Sequence, residues 1–288
     1  MSDSTRLRPR LHRVLCAAAF TLLAAPLLSA CSHNGDGPTV SPPIRWDLVW
    51  SDEFNAKVGT PPDPTTWTHD VGGDGWGNNQ LEHNTNRIEN VAHDGAGHLA
   101  IIARKERFEN NDYTSARIKS EGKREQKYGR IEARILLPRG QGIWPAFWML
   151  GGDFAQVGWP QTGEIDIMEY RGQERGVVHG SLHGPQYSGG SAITRRYQLP
   201  DNKGFDEGFH VFAVEWDPGR IAWTVDGTVY QIVNTRDVTA RGPWVFDHPF
   251  FILLNVAVGG GFSGNPDATT TFPQTMLVDY VRIFERRP

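Results

Sequence analysis

Short strand-like segments recur along the chain from residue 45 onward, and no long segment between them has a convincing helical period. The segments Val177–His183 and 250–256 are examples. Arg220–Val225 and 228–233 flank Asp226-Gly227, a strong hairpin signal. The content of 32 Gly and 19 Pro is typical of a turn-rich chain. Many short strands without intervening helices predict an all-β fold, arranged as a sandwich or a barrel.

The first 30 residues have the pattern of an export signal. Four arginines precede an apolar run at 14–28, and small residues then lead to Cys31. The stretch 28–31, Leu-Ser-Ala-Cys, resembles a bacterial lipobox, in which the cysteine is lipidated and becomes the first mature residue. An ordinary signal with a chance cysteine and an uncleaved anchor are the alternatives, although the run is short for a bilayer-spanning helix. We predict a lipoprotein signal peptide at 1–30 and a lipid anchor at Cys31, which would hold the exported protein at the cell envelope or surface.

Residues 31–44 are small, polar and rich in Pro and Gly, so we predict a flexible tether there and one folded domain at 45–288. Removal of residues 1–30 takes Lys+Arg from 29 to 25 and Asp+Glu from 33 to 32, which changes the net charge from −4 to −7. An acidic domain argues against nucleic acid as a partner and favours a neutral polymer. We expect a monomer. No cysteine would remain in the domain itself, which excludes a disulfide and a thiol nucleophile there.

Three acids crowd the stretch GEIDIMEY at 163–170. Alternate residues of a strand face opposite sides, so Glu164 and Asp166 share one face while the intervening isoleucines face the core. Strict alternation would bury Glu169 among them, and an ionised side chain there would be very unfavourable without a partner. A β-bulge at Ile167-Met168 would return Glu169 to the acidic face. We therefore predict a bulged strand whose three acids line one cleft.

Glycoside hydrolysis needs such an arrangement of carboxyl groups. One carboxylate attacks the anomeric carbon while a second, held protonated, donates to the leaving oxygen. Crowded carboxyls cannot all ionise easily, so at least one pKa rises. The spacing alone is equally compatible with a solvent-facing acidic strand. A calcium loop is disfavoured, because no glycine-turned loop of oxygen ligands surrounds the acids.

The E-x-D-x-x-E spacing resembles the signature of family sixteen glycoside hydrolases, and the resemblance extends from about Trp46 to Phe284. Within the family the chain is most similar to the bacterial laminarinases, which are endo-1,3-β-glucanases and share the bulged form of the motif. One departure is Gln80-Leu81-Glu82, where many relatives have Glu-Leu-Gln. The segments that carry the resemblance are LVWSDEFN (48–55), GWGNNQLEHNT (75–85), YGRIEARILLP (128–138), GIWPAFWMLG (142–151), HVFAVEWDP (210–218) and LVDYVRIF (277–284).

The resemblance implies a two-sheet antiparallel β-sandwich, a jelly roll of the concanavalin type, with a concave substrate cleft. It also implies that Glu164 is the nucleophile and Glu169 the general acid/base, with Asp166 between them to tune charge. Catalysis of this kind needs no cofactor. We expect the two glutamates to lie at the short separation of retaining enzymes, about 5–5.5 Å.

Further cleft residues are predicted from alternation and from the resemblance. Flat tryptophan faces suit sugar rings, although core packing is the alternative for each of them. His183 shares a strand face with His179 and Ser181, and either reaches the cleft or is a structural histidine. Asn79 and Arg117 match family positions that hydrogen-bond sugar hydroxyls, although Arg117 could equally form a surface ion pair. The predicted substrate-binding residues are Asn79, Arg117, Trp144, Trp148, Trp159 and His183.

Two acids are candidate ligands for a structural calcium. Many family relatives bind a calcium that links the two chain ends, and Glu53 and Asp279 are the matching acids here. Alternation places Asp279 on one strand face with the apolar residues Leu277, Val281 and Ile283. A carboxylate on such a face needs a partner, which calcium or an ion pair could supply.

The sequence predicts an endo-acting β-glucan hydrolase that cleaves β-1,3 bonds. The alternatives are a relative acting on galactans such as agar or carrageenan, a mixed-linkage glucanase, a transglycosylase, and a non-catalytic carbohydrate-binding lectin. The intact acids Glu164, Asp166 and Glu169 disfavour the lectin, because a binding protein needs no nucleophile and acid.

Overall fold

The structure is a computed structural model, and it describes residues 45–287. The predicted signal peptide, the tether and Cys31 lie outside these residues. Within the described part of the chain, no helix has the length and apolar character needed to cross a bilayer.

Strands dominate the described residues, and the helical segments are short. The helices are α1 (Phe154–Val157) and α2 (Thr235–Thr239), with 3-10 turns at Gly189–Ser191 and Pro200–Asn202. The strands are β1 (Trp46–Asp52), β2 (Thr68–Asp70), β3 (Glu82–Asn84), β4 (Val91–His93), β5 (Leu99–Phe108), β6 (Asn111–Ser115), β7 (Arg117–Lys119), β8 (Glu125–Gln126), β9 (Gly129–Leu136), β10 (Ile143–Gly151), β11 (Glu164–Tyr170), β12 (Val177–His183), β13 (Ile193–Gln198), β14 (His210–Asp217), β15 (Arg220–Val225), β16 (Thr228–Asn234), β17 (Phe250–Val258) and β18 (Gln274–Arg286).

Two sheets make up the sandwich, which confirms the predicted all-β jelly roll. The cleft sheet has the order β13-β12-β11-β10-β17-β7-β2, with β8 also paired to β17. The outer sheet has the order β16-β15-β14-β9-β18-β5-β6-β3, with β1 on β18 and β4 on β5. The pairing is antiparallel apart from the parallel pair β3–β6. The active strand, our name for β11 because it carries the three acids Glu164, Asp166 and Glu169, therefore lies inside the cleft sheet, between β10 and β12.

The core lies between the sheets and follows the apolar positions of the strands. Strand β17 is a run of mostly apolar residues buried along its whole length, and it lies between β10 and β7 in the cleft sheet. The predicted β15–β16 hairpin is confirmed, with Asp226 and Gly227 at φ 48° and 77°, the left-handed conformation that a two-residue turn requires. These strands fix the frame on which the cleft residues lie.

Strand β18 departs from the predicted alternation. Its register shifts between Val278 and Tyr280, where Asp279 is the extra residue. Val281 and Ile283 are fully buried, whereas the Asp279 side chain is 28% exposed. The prediction that Asp279 shares an apolar face with these residues is therefore wrong, because a β-bulge changes the face at Asp279.

Candidate active site

The predicted bulge in β11 is confirmed. On β12, Asp166 lies opposite Ser181 and Glu169 opposite His179, so the two residues Ile167 and Met168 face Gly180 alone. The register on the β10 side shifts at the same point. Ile167 and Met168 are both buried in the core. The extra residue returns Glu169 to the face that carries Glu164 and Asp166.

The three acids line one open cleft of about 700 Å³, on the face of the cleft sheet that is turned away from the core. Asp166 is 3% exposed, and Glu164 and Glu169 are partly buried. A cleft of this volume holds several sugar rings in contact with protein. The carboxyl groups are thus partly removed from water while facing the space that a substrate would fill.

Burial raises the pKa of all three carboxyl groups above their ordinary values. The charge of Asp166 adds to this effect at Glu164, while His183 lowers the pKa of both glutamates. Glu164 and Asp166 also share a hydrogen bond. The three carboxyl groups therefore hold protons more readily than free carboxyl groups do, which favours the protonated form that a general acid requires.

His183 lies in the cleft, as predicted, and faces the acids. Its Nε2 lies 3.0 Å from Asp166 Oδ2 and 3.6 Å from Glu164 Oε1. The backbone N–H of Gly189 donates to its Nδ1 at 3.1 Å, so in the neutral ring Nε2 carries the proton. The ligand atoms of Glu164, Asp166 and His183 lie within 4.8 Å of one another. A protonated Nε2 cannot ligate a metal, so this geometry favours a hydrogen-bond donor to the acids.

Glu169 is surrounded by the predicted cleft residue Trp144 and by residues to which the sequence assigned no role. Ser181 Oγ donates to it at 3.4 Å, and the indole of Trp144 faces it. His179, buried beside this end of the cleft, has a pKa lowered by burial to about 4. Its ring meets Phe262 edge-on, with centroids 5.2 Å apart. The shared face of His179 and Ser181 was visible in the alternation of β12, whereas Phe262 comes from a distant loop with no signal in its sequence.

Arg117 lies between two indoles on the other side of the acids. Its guanidinium carbon is 4.9 Å from the ring centroid of Trp76 and 4.7 Å from that of Trp148. Asp70 forms an ion pair with Arg117 Nε at 3.0 Å. Trp148 is fixed in turn, because its Nε1–H donates to Asn255 at 2.8 Å. Arg117 and Trp148 both line the cleft, as predicted, and form a rigid cation–aromatic wall there.

The rim near Glu164 is apolar and exposed. Trp159 lines the cleft with 45% exposure, and its ring lies 6.0 Å from that of His183. Phe154, the first residue of α1, is 38% exposed and lines the same rim. Trp144 also lines the cleft but is only 8% exposed. Trp159 and Phe154 therefore offer the open faces on which a sugar can stack.

In the loop before β3, Asn79 does not lie where a substrate-binding residue was predicted. Asn79 is exposed at φ 59° and does not line the cleft, whereas its neighbours Asn78 and Gln80 do. A tight turn at this position directs the side chain of Asn79 away from the cleft. Glu82 is fully buried behind the loop, where its Oε2 accepts the backbone N–H of Val258 at 2.8 Å. Burial raises its pKa from 4.5 to about 8.

Glu53 and Asp279 do not fit a shared calcium site as the side chains are arranged. Arg282 donates to both oxygens of Glu53, at 2.9 and 2.8 Å, and these bonds hold the pKa of Glu53 below its ordinary value. Asp279 forms a separate ion pair with Arg134. Each carboxylate is thus paired with its own arginine, which corresponds to the ion pair named above as the alternative to calcium.

Together, the jelly roll, its open cleft and the buried carboxyls on one bulged strand define a glycoside hydrolase. Residues 78–282 match the family model of glycosyl hydrolases family 16, and the chain belongs to that family. It is 41% identical to the β-glucanase of Rhodothermus marinus, with 96% of each chain covered.

Solved structures give the same result. The laminarinase catalytic domain of Thermotoga maritima is 48% identical, with a TM-score of 0.80 over 84% of this chain and 99% of that one. The endo-β-1,3-glucanase of Pyrococcus furiosus is 47% identical, with a TM-score of 0.80 over 86% and 99% of the two chains. The family resemblance stated from the sequence is thereby confirmed.

Proposed function

We propose that this protein is an endo-acting hydrolase of β-1,3-glucans that retains the anomeric configuration. The observation that carries the proposal is the bulge in β11, which brings Glu164 and Glu169 to one face of a carbohydrate-sized cleft on either side of Asp166. The β-1,3 preference rests on the names of the similar proteins, which are laminarinases and β-glucanases.

In the first step, the Glu164 carboxylate attacks the anomeric carbon from the face opposite the leaving oxygen. Glu169 gives its proton to that oxygen as the glycosidic bond breaks, and a covalent glycosyl–Glu164 ester forms. Asp166 shares a hydrogen bond with Glu164, so a proton held between them can pass to Asp166 as Glu164 attacks. The pair carries one negative charge before the attack, which His183 Nε2–H faces, and this charge is neutralised as the Glu164 ester forms.

In the second step, water replaces the departed sugar. Glu169, now ionised, takes a proton from this water, which attacks the anomeric carbon and releases Glu164. Two inversions give net retention. The carboxyl groups supply both the nucleophile and the proton, so the mechanism needs no cofactor.

Mid-chain cleavage follows from the shape of the cleft. Its lining continues past the acids to Arg117 and Trp148 on one side and to Ala192 and Thr194 on the other. A polysaccharide can therefore lie across the sheet with sugars on both sides of the scissile bond, as an endo-acting enzyme requires.

Incubation with laminarin, lichenan and agarose, followed by product sizing and NMR of the first products, tests the proposal. We expect a spread of oligosaccharides from laminarin, released as the β-anomer. Release of glucose alone would contradict endo action, and an initial α-anomer would contradict the nucleophile assignment. Cleavage of agarose or of lichenan alone would support a different family specificity, and binding without cleavage would support a lectin.

For location, we propose that the signal at 1–30 exports the chain and that a lipid at Cys31 anchors it to a membrane, with 31–44 as the tether of a monomeric enzyme. The supporting pattern is the lipobox-like stretch at 28–31. Cys31→Ala should release soluble, active protein of monomer size in gel filtration. Membrane retention of the variant would indicate an uncleaved anchor instead.

A further inference from the structure

A buried tryptophan of the outer sheet bonds to the bulge of the active strand. Trp223 in β15 has no exposed surface, and its Nε1–H donates to the backbone carbonyl of Asp166 at 2.8 Å. A bulge disrupts the regular ladder of backbone hydrogen bonds, and buried backbone groups must then find other partners. The indole supplies one at Asp166, immediately before the two bulged residues Ile167 and Met168.

The partner strand leaves room for this contact. Gly180 is the one residue of β12 opposite the bulge. A Cβ placed at Gly180 would lie 2.5 Å from Cδ1 and 2.9 Å from Nε1 of Trp223, and 2.4 Å from the hydroxyl of Tyr230. These distances are far below normal contacts, so any side chain at 180 would displace the indole. The bulge, the glycine and the tryptophan therefore form one arrangement.

We infer that Trp223 is a positioning residue for catalysis, which sets the separation of Glu164 and Glu169 by holding the bulge. The inference rests on the proposed roles of these two acids. Glu164 belongs to the regular part of the ladder, opposite Leu150 and His183. The position of Glu169 relative to Glu164 depends on the extra residue between them. Loss of the indole hydrogen bond therefore displaces the acid more than the nucleophile.

Trp216 provides a matched control. It is also fully buried in the outer sheet, and its Nε1–H also donates to a backbone carbonyl, that of Phe246 at 3.1 Å. That carbonyl does not belong to β11. Trp223→Phe and Trp216→Phe thus remove the same kind of side chain and the same kind of hydrogen bond, and differ in whether the bond reaches the active strand.

The test compares kcat/KM for laminarin and for an aryl β-laminaribioside with an activated leaving group, which needs little help from an acid. Trp223→Phe should lower kcat/KM for laminarin about 10- to 100-fold, with KM little changed, because a displaced acid loses most of its contribution. The activated substrate should lose less than about threefold, since the nucleophile remains in place. Trp216→Phe should leave both values near wild type. Gly180→Ala, if it folds, should reproduce the Trp223→Phe pattern.

Equal losses on both substrates in Trp223→Phe, or the same pattern in Trp216→Phe, would overturn the inference. Glu169→Ala is run alongside: if it shows no dependence on the leaving group, the role of Glu169 fails rather than that of Trp223. If Trp223→Phe does not fold, hydrogen exchange of the wild-type indole protons decides. The Trp223 proton should exchange no faster than that of Trp216, and rapid exchange would show that the bond to Asp166 does not persist.

Discussion

Strands β11 and β18 lie in opposite sheets, and each contains one bulge beside an acidic residue. In β11 the bulge at Ile167-Met168 places Glu169 in the cleft with two other acids. In β18 the bulge places Asp279 at the surface, against Arg134. The same backbone device builds a reactive group of carboxyls in one strand and an ordinary ion pair in the other.

The two bulges differ in how many residues must lie on a given face of the strand, and this decides whether the bulge can be predicted. Three acids at a fixed spacing cannot share a face in β11 without an extra residue, so the bulge was predictable. In β18 a lone Asp279 on an apolar strand could be satisfied by a cation on either face, and the alternation gave the wrong face. A bulge is therefore readable from sequence only when several residues must agree on their side of the sheet.

The largest expected effect comes from the catalytic acids. Glu164→Ala should lower kcat on laminarin by at least about 10⁴-fold while binding is retained, because no group remains to form the covalent intermediate. Added azide should restore turnover and give an α-glycosyl azide. A β-glycosyl azide from Glu164→Ala, or an α-glycosyl azide from Glu169→Ala, would contradict the assigned roles. Asp279→Ala is the control in β18 and should leave kcat unchanged.

The next effect concerns the strand beside the bulge. His183 lowers the pKa of both Glu164 and Glu169, so His183→Ala should raise both. Activity needs an ionised Glu164 and a protonated Glu169, so both limbs of the kcat/KM–pH profile should move to higher pH. His98→Ala, which removes an imidazole paired with Asp94 away from the cleft, should leave the profile in place. Unmoved limbs in His183→Ala would exclude an electrostatic role for His183.

Glu82 extends the comparison to an acid that is buried without a bulge. Its pKa rises from 4.5 to about 8 on folding, so the folded state keeps a proton that the unfolded chain loses. Stability should therefore fall between about pH 4.5 and 8, by on the order of a few kcal/mol. Glu82→Gln should remove this part of the pH dependence, measured as the free energy of unfolding in urea across that range.

Glu132→Gln is the matched control for Glu82, because it removes a buried carboxylate that Arg130 already pairs with at 2.7 Å. That variant should be less stable at every pH in the range. If Glu82→Gln follows the wild-type pH dependence, the Glu82 carboxyl is ionised in the fold and stabilised by the neighbouring Arg117.

The smallest effects are expected in β18. Asp279→Ala breaks a partly exposed ion pair with Arg134, which is worth about 0–1 kcal/mol. EDTA should leave the melting temperature unchanged, because Glu53 and Asp279 are each paired with an arginine. A fall in melting temperature on chelation, reversed by calcium, would restore the predicted calcium site. In that case Arg282→Ala should lower the melting temperature less in the presence of calcium than in the presence of EDTA.

The sequence predicted the parts of the molecule that local patterns control. Alternation and turn residues gave the strands and the hairpin at Asp226-Gly227, and the acid spacing gave the bulged strand. It could not place Phe262, which reaches Glu169's end of the cleft from a distant loop. Nor could the sequence predict the direction of the Asn79 side chain, which depends on one positive φ angle. Contacts set by loop geometry, and cross-sheet contacts such as that of Trp223, require the three-dimensional arrangement.

The pairing of the first strand with the last has a consequence for how the chain folds. Strand β1 pairs along β18, with Trp46 opposite Arg286, and Arg287 N–H bonds to the carbonyl of Arg45. Contacts between residues so far apart in sequence form slowly, because a long loop must close before they contribute. The outer sheet therefore cannot be completed until the final 13-residue strand has been synthesised. Such a delay keeps the outer sheet open until β18 emerges, so under the export that we propose the chain would reach the membrane before this sheet had closed.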